Sequence, residues 1–177
     1  MKTELLFTNV SHMFGLVLLS GLVLLWSGCA QSPEFEFGSE EWQLDKIQKA
    51  EQGNANAQFN LGGFYLMGFG MPQDEEEAVK WFRKSAEQGN SNALLALGES
   101  YLSGKGVPEN KAEAIRIFRK SAEQGNGNAM FRLGMCYMVG DGVPQDEAES
   151  KKWFEAAAKK GVTGKPDSTR FRRTFRL

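Results

Sequence analysis

The sequence predicts an all-α, right-handed solenoid of antiparallel helix pairs: three 36-residue repeats behind an N-terminal half repeat. Two observations carry this. First, identical residues recur at a single period. Gly53, Gly89, Gly125 and Gly161 stand 36 apart, as do Leu61, Leu97 and Leu133, then Tyr65, Tyr101 and Tyr137, then Phe82, Phe118 and Phe154. Self-similarity at such a period marks stacked supersecondary units. Second, each unit holds two apolar stripes of helical period, separated by glycine and proline.

The chain opens on an address rather than on the fold. Met13 to Trp26 is an apolar run of 14 residues, against the roughly 20 a membrane helix needs. That length suits the apolar core of a signal peptide, expected over residues 1–28, although Glu4 offsets the leading Lys2. Ser27, Gly28 and Cys29 follow, and small residues before a cysteine resemble a bacterial lipobox. The resemblance implies that Cys29 is lipidated and becomes N-terminal, in the cell envelope. Ala30 after it points to an outer-membrane lipoprotein facing the periplasm. Trp26 stands where a lipobox usually has Leu. Cleavage after Ala30, giving a secreted or periplasmic protein, and an uncleaved anchor reaching back to Leu5 stay open. Residues 29–38 then read as a linker containing Pro33 and Gly38, whose Phe35 and Phe37 either stay free or pack on the domain.

The repeat domain is expected over 39–161, with units 54–89, 90–125 and 126–161. Ser39 to Gln52 precedes them as half a unit, because Ala50, Glu51, Gln52 and Gly53 match a unit's end. Within the first unit, Ala57, Leu61, Gly62 and Tyr65 share one helix face. Gly68 and Gly70 break that helix, and Pro72 blocks its continuation. Asp74 suits an N-cap, with Glu75, Glu76 and Glu77 at the positive end of the second helix. Ala78, Trp81, Phe82, Ser85 and Ala86 form the second apolar face, and Gly89 closes it. An exposed glycine inside a helix costs about 1 kcal/mol, so Gly62, Gly98 and Gly134 imply close helix contact. After Gly161 the period stops. Residues 162–177 form a basic tail with five Lys and Arg against Asp167, either a solvated end or an anion-seeking segment.

The motif A-x-x-x-L-G-x-x-Y-x-x-G-x-G-V-x-x-[DN], then A-x-x-[WI]-F-x-x-[SA]-A-x-x-G, resembles the Sel-one-like repeat family, relatives of the tetratricopeptide repeats. The second unit carries Ala93, Leu97, Gly98, Tyr101, Gly104, Gly106, Val107 and Asn110 of it. The departures are Met71 for the loop valine, Ile117 for tryptophan and Ser150 for alanine. The resemblance implies a non-enzymatic scaffold that binds another protein on the concave face. First-helix positions that differ between units are the candidates for partner choice: Asn60, Gly63 and Met67; Ala96, Glu99 and Ser103; Arg132, Met135 and Val139. Of these, Arg132 and Met135 are the strongest, since Arg and Met are enriched at interface cores.

Chemistry finds little to work with. The only histidine is His12, inside the leader, so histidine triads, histidine metal sites and histidine acid–base work are not expected of the exported part. Cys136 is a lone thiol on a first helix, read as structural. No phosphate-binding or calcium loop occurs, and no cofactor, metal or catalytic residue is expected. A net charge of −1 points to no nucleic acid. Two alternatives remain in view. One is a cell-wall or β-lactam-related hydrolase, a role associated with cysteine-rich relatives, whose paired cysteines this chain lacks. The other is an anion or membrane binder acting through the tail.

Overall fold

The computed structural model describes residues 37–162. The expected signal segment, Cys29 and nearly all of the basic tail lie outside the described residues. Among the described residues, seven α-helices follow one another: α1 (Glu40–Glu51), α2 (Ala55–Met67), α3 (Glu75–Glu87), α4 (Ser91–Ser103), α5 (Lys111–Glu123), α6 (Gly127–Val139) and α7 (Glu147–Lys159). No strand occurs among the described residues. Helix α1 is the half unit, and α2–α3, α4–α5 and α6–α7 are the three pairs of an all-α repeat solenoid.

Capping residues fix every boundary at the same place in each unit. Asn54, Asn90 and Asn126 cap the first helices, and each accepts from the backbone N–H of an alanine three residues on. Asp74, Asn110 and Asp146 cap the second helices in the same way, accepting from Glu77, Glu113 and Glu149. Such caps are worth about 1 kcal/mol each. The first helices end on Gly68, Gly104 and Gly140 at φ of +66°, +69° and +80°, a left-handed backbone that glycine adopts without strain.

Within a pair, the helices touch through the expected glycines. A Cβ built on Gly62 would lie 2.6 Å from the Phe82 ring, on Gly98 2.5 Å from Phe118, and on Gly134 2.8 Å from Phe154. The missing side chain therefore makes the seat for the aromatic ring. Between units, the cores are shared. Phe82, Val79 and Ala86 of α3 pack with Leu94 and Leu97 of α4 and Ile117 of α5. Phe118 and Ala122 of α5 pack likewise with Ala129, Leu133 and Cys136 of α6. Met71 fills the loop position expected for valine, buried with Ala50, Leu61 and Trp81.

Polar ladders follow the same period. Ser85 Oγ donates to the Ala55 carbonyl at 2.6 Å and Ser121 Oγ to the Ser91 carbonyl at 2.7 Å. Asn90 Nδ2 donates to Asn56 Oδ1 at 3.1 Å and Asn126 Nδ2 to Asn92 Oδ1 at 2.9 Å. Both ladders stop in the last unit, where Ala157 and Val162 stand at the equivalent positions. There, Phe154 and Trp153 are only half-buried and Ala158 is exposed, whereas Phe82, Phe118, Ala86 and Ala122 are buried. The described residues hold no following first helix to cover them.

Candidate interaction groove

Stacking brings the first helices α4 and α6 within side-chain reach of each other: Arg132 Nε on α6 donates to Glu99 Oε1 on α4 at 2.8 Å. Both side chains stay about half exposed, so the pair contributes at most about 1 kcal/mol to stability and is open to exchange.

Beside this pair lies a groove of about 290 Å³, lined by Leu66, Ala96, Glu99, Ser100, Leu102, Ser103, Lys105 and Arg132. Its hydroxyls are already committed. Ser100 Oγ donates to the Ala96 carbonyl at 3.1 Å and Ser103 Oγ to the Glu99 carbonyl at 2.8 Å. What remains available is an apolar wall of leucine and alanine with two cations, Arg132 and Lys105, against one carboxylate, Glu99. That combination suits an apolar side chain presented next to a carboxylate.

Four residues selected from sequence meet in this groove: Ala96, Glu99, Ser103 and Arg132. Asn60, Met67 and Val139 are exposed on the same helix type but lie outside its lining, as do the half-buried Gly63 and Met135. Sequence reasoning passed over Leu66 and Leu102 because position 66 and its equivalents are apolar in every unit (Leu66, Leu102, Met138). Lys105 was missed because it belongs to the loop. The signal was there, however: its equivalents are Phe69 and Asp141, the sharpest chemical change at any repeated position.

Cys136 lies one turn beyond Arg132 on α6 and is 4% exposed. Burial, helped by Asp141, pushes its thiol up to about 11, which keeps it protonated and unreactive near neutrality. Among the described residues, no cluster of three or more His, Cys, Asp or Glu could hold a metal ion. No described helix is long and apolar enough to cross a membrane.

Comparison with known proteins agrees with this architecture. A Sel1 repeat model matches residues 55–90, 91–126 and 127–162. A Sel1 repeat protein from Oxalobacter formigenes is similar in structure with a TM-score of 0.66 and 31% identity, over 69% of this chain and 49% of that one. A protective antigen of uropathogenic Escherichia coli strains that displays an SLR fold gives 0.65 and 43%, over 67% and 26%. Cysteine rich protein B of Helicobacter pylori gives 0.57 at 21% identity, over 76% and 98%, and is similar in fold alone. No curated protein matches the sequence significantly. The chain thus spans about half the length of the first of these structures and a quarter of the second. With three tandem matches over most of its described helices, the chain belongs to the Sel1 repeat family.

Proposed function

We propose that the protein is a non-enzymatic interaction scaffold whose first-helix groove receives a segment of another protein. Sel1 repeats generally mediate protein–protein interaction, which supports the general reading. The observation that carries the specific one is the groove beside Glu99 and Arg132, with leucines in its wall and a surplus of positive charge. The partner segment places an apolar side chain against Leu66 and Leu102, and its carboxylate competes with Glu99 for Arg132. A photo-crosslinking residue at the exposed Ser103 should trap the partner, and one at the exposed Glu76 on α3 should not. Adding Arg132→Ala should abolish the Ser103 adduct while the circular dichroism spectrum stays helical. Equal trapping at both positions, or an adduct indifferent to Arg132, would place the binding face elsewhere.

The scaffold works in the bacterial cell envelope, tethered by lipid on Cys29. This reading rests on the Met13–Trp26 run and on the Ser27-Gly28-Cys29 sequence that ends it. Cys29→Ser should release the protein from membranes and remove labelling by a fatty acid. An unlabelled, soluble wild-type product would leave ordinary secretion instead.

A further inference from the structure

A solenoid's outer units normally turn a polar face to solvent, because an exposed core edge associates with whatever is near. The N-terminal end of this one is apolar. Phe37, Phe69 and Met67 are 54%, 53% and 69% exposed. Phe37 sits on Trp42 at 4.9 Å between ring centroids and on Phe69 at 4.6 Å, and Trp42 sits on Phe64 at 5.1 Å. Leu44, on α1 itself, is 65% exposed.

The repeat pattern shows that the aromatic rings at positions 64 and 69 are confined to this end, whereas position 67 is apolar and exposed again in the third unit, as Val139. Where the first unit has Phe64, Met67 and Phe69, the second has Ser100, Ser103 and Lys105, and the third has Cys136, Val139 and Asp141. The fold therefore accepts serine and charge at these places. The aromatic rings are not required to build a repeat, and exposing them costs solubility.

The covalent chain says what lies close by. Phe37 follows Cys29 by eight residues, a reach of at most roughly 28 Å even when fully extended. We infer that the Phe37, Phe69 and Met67 patch rests on the surface of the bilayer to which the chain is tethered, fixing the solenoid's N-terminal end against it. Phe and Trp favour the membrane–water interface. Lys46, whose ammonium lies 5.2 Å from the Trp42 ring centroid, is already paired with Asp45 Oδ2 at 2.9 Å and adds no free charge at this end. Glu40 and Glu41 are exposed on the same helix and oppose an anionic surface, so the matching lipid is zwitterionic.

The inference rests on the membrane-tether reading above, and the test separates the two. Full-length protein carrying Trp26→Phe, Trp81→Phe and Trp153→Phe, with Trp42 as its single tryptophan, is reconstituted into phosphatidylcholine vesicles with or without brominated acyl chains. Vesicle flotation reports the tether, and quenching of Trp42 by bromine reports the patch. Brominated lipid should lower Trp42 emission about twofold, as expected for a ring at the acyl boundary. Met67→Ser with Phe69→Lys installs the second unit's own residues, so the fold is retained. This variant should still float, with its quenching lost. Protein that floats unquenched would overturn the patch and leave the tether standing; protein that does not float would overturn both. Concentration-dependent dimerisation abolished by Met67→Ser with Phe69→Lys, without quenching, would instead assign the patch to a second copy and refute the bilayer contact.

Discussion

Gly62 and Gly63 are neighbours on α2, yet alanine should act on them with opposite sign. At Gly62 the new methyl would lie 2.6 Å from two ring carbons of Phe82 and 3.0 Å from the Ala78 carbonyl oxygen. Phe82 is 1% exposed and locked among Ala78, Val79 and Leu97, so its ring has nowhere to retreat. Overpacking of this kind costs about 1–3 kcal/mol, and contact with rigid atoms on two sides argues for the upper half. Replacing glycine in a helix returns about 1 kcal/mol, which leaves Gly62→Ala destabilising by about 1–2 kcal/mol. At Gly63 the nearest atom to the methyl is the flexible end of Met67 at 3.9 Å, so only the propensity gain remains. Gly63→Ala should stabilise by about 0.5–1 kcal/mol. With a urea slope of about 1–3 kcal/mol per molar, the two variants' unfolding midpoints should separate by about 1 M. Circular dichroism during urea titration reads this directly. Phe82→Leu added to Gly62→Ala should cost less than the two changes summed, because it removes the colliding ring. Equal stabilisation by both alanines would refute the argument that the recurring glycine exists to seat the phenylalanine.

Leu97 is 7% exposed in the shared core of the first two units, so Leu97→Ala should destabilise by about 2–5 kcal/mol in the same titration. A loss below about 1 kcal/mol would mean that the site collapses around the cavity. Cys136 should resist a thiol reagent in the native protein at pH 8 and react fully in urea, since with its thiol pushed up to about 11 only about one molecule in a thousand carries a thiolate. Fast native labelling would show that α6 opens readily. The same shift is linked to folding. Unfolded protein sheds this proton near pH 9 and folded protein only near 11, so below 9 the thiol leaves stability independent of pH, and above 9 stability should fall as pH rises. Cys136→Ala should flatten that alkaline slope.

What the sequence determined is whatever a single 36-residue unit contains. The helix breaks at Gly68 and its equivalents, the cap at Asp74 and the close approach at Gly62 were all legible, because each follows from local backbone chemistry and helical spacing. Repetition then made them unmistakable. The half unit could be read from Ala50 to Gly53 for the same reason. How one unit's surface meets the next emerged from the packed helices alone. Listing first-helix positions that vary put Asn60, Met67, Glu99, Arg132 and Met135 on one stripe. It could not say that Glu99 and Arg132 join across units, or that Met135 lies outside the groove they border. Nor could it show that Leu66 and Leu102 line that groove, or that Phe37, read within a linker, stacks on Trp42 and Phe69. These outcomes depend on the small rotation between neighbouring units and on side-chain reach across the gap. Both are set by how whole helices pack, and no spacing along the chain encodes them.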